Sequence, residues 1–284
     1  MKLKSSLITI LILLILFILS SSPIIAIADD KDKGKLDEFE KALEDTTRKG
    51  KKKTTKASKE NDTITDDSIA GQLFLHASLF VFRLYTYFPG EKEAFYNGDL
   101  FSVKFQKYPY ASGKDGLMTF DEGKFYSIDI STNYLYESAD LNGVGFKLRF
   151  SPITFFNFTY QVTRLHEETN GANDRLTISD FHLNYYRFRF PEFTMWWGLG
   201  SKLISGDNDY SGFSYNHGFE WYLHTPISVH YNYKASNINT VFVSDHTFNL
   251  NYHWKPYFMY LGYQSYNAGS VSIKGCSIGV GFFY

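Results

Sequence analysis

The chain has 284 residues and a formal net charge of −1, too little positive charge for a protein that holds nucleic acid by bulk electrostatics. Its single cysteine, Cys276, excludes an internal disulfide framework and any multi-cysteine zinc site. A mean hydropathy of −0.26 excludes a bundle of transmembrane helices, while 27 Phe, 22 Tyr and 4 Trp suggest a β-protein of the kind whose outer surface meets lipid.

Residues 1–28 have the layout of an export signal. Lys2 and Lys4 precede an apolar run at 7–20, and Ala26-Ile27-Ala28 supplies a small-x-small cleavage site before Asp29. The competing reading is an uncleaved anchor, because the apolar run, continued through Ile27, is long enough to span about 30 Å of hydrocarbon; the cleavage site favours removal. Residues 29–68 read as a disordered, charged tether. Leu36, Phe39 and Leu43 share one helical side there, but three residues cannot hold a helix without a partner. The basic run from Arg48 to Lys59 contains no acidic residue. It reads as a solvated segment able to contact anionic polymer or lipid head groups. Residues 69–123 offer two readings. QLFLHASLFVFRLYTYF and FSVKFQKY are either the first two strands of a twelve-stranded barrel or a plug-like segment at a barrel mouth. Twelve strands are slightly favoured over ten.

From residue 124 the chain counts out strands. Pro152, Pro191, Pro226 and Pro256 sit in tight breaks between aromatic-rich segments, where proline is tolerated. The polar segments starting at 137, 166, 205, 236 and 265 read as longer loops on the opposite side. Ten strands follow, at about 124–136, 142–150, 154–165, 177–190, 193–204, 212–223, 227–235, 246–254, 257–265 and 271–284. Period-two alternation sets Val229, Tyr231, Leu250 and Tyr252 on one face and Ser228, His230, Asn249 and Asn251 on the other. Trp196 is an exception in its strand. Residues 278–284 close the chain with Ile278, Val280, Phe282 and Tyr284 on one apolar face.

These features resemble the bacterial outer-membrane β-barrel superfamily, many of whose members end in an aromatic residue preceded by apolar residues at alternate positions. The resemblance covers about residues 124–284. It implies an all-β fold, a transmembrane antiparallel up-and-down barrel of 10–12 strands in the bacterial outer membrane. It also implies lipid and the barrel assembly machinery as partners, the latter reading Ile278, Val280, Phe282 and Tyr284. No cofactor or metal and no nucleic-acid partner is expected.

Projecting the polar face inward gives lumen candidates Lys147, Arg149, Arg187, Arg189, Glu220, His230, Lys234 and His253, alongside Asp129, Asn157, Gln161, Lys202, Asn249, Asn251 and Gln264. Basic residues outnumber acidic ones in that set. A barrel of this size is filled by a hydrogen-bonded polar plug or keeps a narrow pore preferring anions. The expected function is a small pore or a structural membrane protein. The alternatives are a barrel enzyme acting on lipid or peptide, with His224, His230 and His253 near one rim, and a soluble periplasmic ligand-binding barrel with its apolar face inward. An arginine is expected to be costly at Val229 or Leu250 and cheap at Ser228 or Asn249.

Overall fold

The computed structural model describes residues 34–44, 103–111, 113, 116–120, 122–169 and 172–284. The export signal, the basic run at 48–59 and the apolar stretch at 72–88 lie outside the described residues. In chain order, a helix α1 (Lys35–Ala42) is followed by two short strands, β1 (Lys104–Phe105) and β2 (Met118–Thr119). Ten long strands come next: β3 (Ser127–Tyr136), β4 (Leu141–Ile153), β5 (Phe156–Thr169), β6 (Ala172–Arg189), β7 (Phe193–Ser205), β8 (Asp209–His224), β9 (Ile227–Ile238), β10 (Val241–Trp254), β11 (Tyr257–Ala268) and β12 (Val271–Phe283).

The ten form a closed antiparallel barrel in which each strand pairs with the next. The ring closes where β12 pairs with β3, from Cys276↔Tyr136 to Phe283↔Asp129. The count is therefore ten, not the favoured twelve. Once β12 and β3 exchange their ladders no edge remains for a further pair of strands, and β1 and β2 pair with each other in a separate sheet, with one further bridge from Phe105 to Lys124.

Side chains alternate in and out as the period of two requires. Outward positions carry Ile130, Tyr134, Val144, Phe146, Phe158, Tyr160, Phe181, Leu183, Leu199, Leu250, Leu261 and Ile278, all exposed. Leu261 and Ile278 are 64% and 61% exposed. An apolar surface of this extent drives association in water but is solvated by lipid tails in a bilayer; β9 departs from it, its outward Val229 and Tyr231 being buried. The closed ring also leaves no unpaired strand edge facing lipid. The fold is thus a closed antiparallel barrel, apolar outside in the manner of a membrane-spanning one, and not a soluble barrel with its apolar face inward.

The polar segments expected to be long loops are mostly strand. Among the described residues the connections are short at both rims: residues 137–140, 206–208, 239–240 and 269–270 at one end, and 154–155, 190–192, 225–226 and 255–256 at the other. Asn239 and Thr240 both take positive φ (50° and 70°), which a two-residue hairpin demands. The reason for the misreading lies in the inward positions. Leu176, Ile204, Ile238, Val243 and Ile273 are apolar and buried, spaced through stretches whose outward residues include Arg175, Thr177, Ser205, Asn237, Ser272 and Lys274, with Leu203 and Phe242 as exposed apolar exceptions. These strands run on beyond the lipid band, wetted outside and packed inside.

What they pack against is α1. Leu36, Phe39 and Leu43 are buried in one cluster with Leu135, Leu141, Leu165, Leu176, Ile178, Ile204, Ile238, Val243 and Ile273. The tether reading of 29–68 is therefore corrected at 34–44, where the barrel supplies the partner that the isolated segment lacks. A second apolar cluster joins Val103, Phe105, Tyr110, Leu117 and Met118 to Tyr186, Trp196, Tyr222 and Phe283. It lies at the rim bearing Ser127 and Phe283, here the terminal rim; α1 lies at the opposite, distal rim.

Candidate functional site

The candidate site is the lumen, which is filled in three layers. At the distal rim α1 is held by four of the hairpins around it. Lys35 N and Leu36 N donate to Glu167 Oε1 and Oε2 at 2.8 and 2.7 Å, placing a carboxylate on the helix N-terminus, where the helix dipole favours it. Lys35 Nζ pairs with Glu137. Glu40 accepts from the backbone of Asp207 (3.1 Å) and Asn208 (2.6 Å), and Leu43 O accepts from Asn239 Nδ2 at 3.1 Å.

The middle layer is ionic. Lys202 Nζ lies 2.5 Å from Asp245 Oδ2 and 2.8 Å from Asp180 Oδ1. Lys234 Nζ donates to Asp180 Oδ2 at 2.6 Å and to Gln161 Oε1 at 3.0 Å. Nearer the terminal rim, Arg149 pairs with Asp129 and reaches Glu220 Oε2 at 3.4 Å, with its guanidinium carbon 5.9 Å from the Trp196 ring. Lys147 Nζ is 3.3 Å from His230 Nε2, and His230 stacks on Trp196 at 5.4 Å. Arg149, Lys202 and Lys234 thus meet Asp129, Asp180, Glu220 and Asp245, and with Lys147, which touches His230, the layer sets four cations against four acids. The expected basic excess is absent from this layer, because Asp180 and Asp245 supply the missing charges. A cavity of about 40 Å³ remains between Asp129, Lys147, Glu220, His230, Asn249 and Gln264. At about 10–15 Å³ per water it holds a few waters.

At the terminal rim the segment around β1 and β2 closes the mouth. Tyr110 donates from its hydroxyl to Ile227 O at 2.7 Å and packs edge-on against Tyr222 (5.7 Å) and His253 (5.5 Å). Gly116 takes φ 105°, and a Cβ there would stand 1.5 Å from Pro191 O, so only glycine lets the segment approach this closely. Arg189 is buried with its guanidinium carbon 3.7 Å from the Phe155 ring. Arg187 is not in the ionic layer. The β6–β7 register shifts between Tyr186 and Phe188, and the guanidinium carbon of Arg187 stands 5.8 Å from the Phe188 ring.

The histidines do not converge. His224 is exposed and bonds Thr225 O, His230 meets Lys147, and His253 Nε2 lies 2.8 Å from Ser228 Oγ. A second serine–histidine pair joins His182 Nε2 and Ser214 Oγ at 3.0 Å. A serine nucleophile needs a reachable Oγ and a group orienting the imidazole. Ser228 and Ser214 are fully buried, and Nδ1 of both histidines has no hydrogen-bond partner. Among the described residues no group of three His, Cys, Asp or Glu is placed to hold a metal.

No family model matches the chain, and no curated protein matches its sequence. Solved structures do match. The N-terminal β-barrel domain of Pseudomonas aeruginosa OprF matches at 10% identity over 56% of this chain and 97% of that one, with a TM-score of 0.30. OmpT, an outer membrane protein of Vibrio cholerae, matches at 10% identity over 54% and 64%, with a TM-score of 0.29. Ail, the attachment invasion locus protein of Yersinia pestis, matches at 9% identity over 56% and 96%, with a TM-score of 0.27.

Proposed function

We propose that this protein is a structural outer-membrane barrel whose lumen does not conduct. The observation that carries this reading is closure at three levels: an apolar stopper at the distal rim, a charge-balanced network in the middle and an aromatic cover at the terminal rim. A narrow anion-preferring pore needs uncompensated positive charge along an open path. Here each of the central lysines Lys202 and Lys234 touches a carboxylate. Lipid contacts the outward apolar band, and the barrel assembly machinery would read Ile278, Val280, Phe282 and Tyr284 on the closing strand.

The test is electrical. Protein that shifts in gel mobility on boiling, and so is folded, is added to a planar bilayer in concentrated KCl. The expected result is a flat current trace at both polarities. Discrete, anion-selective steps from folded protein would overturn the structural reading in favour of a pore.

A further inference from the structure

On β5 and β6 the outward face changes character at one height. From the terminal rim, β5 presents Phe156, Phe158, Tyr160 and Val162, then Arg164 and His166; β6 presents Tyr185, Leu183 and Phe181, then Ser179, Thr177 and Arg175. His166 pairs directly with Arg175, and Arg164 with Thr177. Arg164 and Arg175 are therefore diagonal neighbours, about 7–8 Å apart at their Cα atoms, with the imidazole alongside. Both arginines are exposed. Among the described residues neither forms an ion pair, although Glu168 lies on the same face, diagonal to Arg175 on its other side. Asn142 of β4 stands beside His166.

The height is informative. Eight residues separate Phe156 from Arg164, roughly 26 Å along a strand and roughly 20 Å along the normal of a tilted one, close to the roughly 25 Å apolar band of such barrels. Long arginine stems then carry their heads to the level of lipid head groups. Outward near the same rim, Ser205, Ser211 and Asn237 on β7, β8 and β9 carry no charge, Asp209 on β8 is acidic, and Lys274 on β12 is a single cation. Paired planar guanidinium groups suit phosphate better than point charges do.

We propose that Arg164, His166 and Arg175 form a docking site for the phosphorylated head group of a lipid in the leaflet at the distal rim. The inference rests on the barrel spanning a membrane. The test uses the full folded chain, first inserted into neutral phosphatidylcholine vesicles and then titrated with a bis-phosphorylated glucosamine lipid, its dephosphorylated form, and inorganic phosphate. The native chain is expected to prefer the phosphorylated lipid, and Arg164→Gln and Arg175→Gln each to weaken it about tenfold while boiling still shifts gel mobility. Lys274→Gln, an outward cation on β12, is expected to leave binding unchanged. Equal binding of both lipids, or equal loss in Lys274→Gln, overturns the site. Displacement by millimolar inorganic phosphate overturns the lipid as its occupant. Failure to insert into the neutral vesicles overturns the membrane reading itself, and with it the site.

Discussion

Lys202 Nζ lies 2.5 Å from Asp245 Oδ2, and both side chains are almost wholly removed from solvent. The same ammonium touches Asp180, which also holds Lys234. Removing one partner of a buried ion pair strands the others without water or counter-charge, at a cost of about 3–5 kcal/mol. Lys202→Met is expected to lower the stability of the vesicle-folded barrel by that amount, read from its urea midpoint. Lys202→Met combined with Asp245→Asn should recover part of the loss, since it removes a cation and an acid together. Equal midpoints for native and Lys202→Met chains would show that the network is hydrated and open.

The contact between Glu167 and α1 predicts a local effect. Its carboxylate takes the first two amides of the helix, so Glu167→Ala leaves two donors and the dipole unanswered, a loss of about 1–3 kcal/mol. Phe39→Asp is expected to do more, by placing a charge in the apolar cup. Both should release α1 and leave the ring intact. Limited proteolysis should then cut within 34–44 while the barrel keeps its mobility shift. Protection of 34–44 in Phe39→Asp would mean that apolar packing does not seat the helix.

Tryptophan quenching reads the orientation directly. Trp254 faces outward at 65% exposed, while Trp196 faces inward at 4%. In vesicles of brominated-chain lipid, a variant keeping only Trp254 should be strongly quenched and one keeping only Trp196 should not. An arginine at outward Leu250 is expected to cost about 2–4 kcal/mol. An arginine at Ser228, cheap on the sequence reading, is expected to cost at least as much. Ser228 has no exposed surface and is bonded to His253 and Asn251, leaving no space for a longer side chain.

The strands were legible because their period of two survives in single residues, and the same period pointed Lys147, Arg149, Glu220, His230, Lys234 and His253 inward. Asp180 was readable in principle, two and four residues before His182 and Asn184 on the same face. Asp245 is not legible as a lumen residue, because it sits just ahead of the strand expected from 246. Trp196, an exception to its pattern, is inward, where the terminal cover needs an apolar wall. Arg187 departs from the expected inward set at a bulge, which inserts one residue and resets the alternation without a local mark. The seat of α1 is hidden because many of its inward apolar residues, such as Leu165, Leu176, Ile238 and Ile273, stand between polar outward neighbours. Its partner residues also come from strands far apart in the chain, and no local window joins them.

The closing strand separates an assembly role from a structural one. Phe282 pairs with Ile130 on β3 and packs on Tyr257 at 5.4 Å, and Tyr284 exchanges backbone bonds with Ile128 at 2.8 and 3.1 Å. Lys124 Nζ lies 4.5 Å from the Tyr284 ring. Inward on the same strand, a Cβ on Gly281 would stand 2.2 Å from the Phe258 ring and one on Gly279 2.3 Å from the Tyr260 ring. Gly281→Val is therefore expected to fail everywhere, in cells and in refolding from urea into vesicles, because the wall cannot close around it. Phe282→Ala with Tyr284→Ala removes outward aromatics that lipid tails can replace, so refolding in vitro should proceed with little loss. In cells the same double variant should accumulate unfolded if these side chains are read during assembly. Normal insertion in cells would reduce Phe282 and Tyr284 to lipid contacts, whereas equal failure in both settings would make them structural.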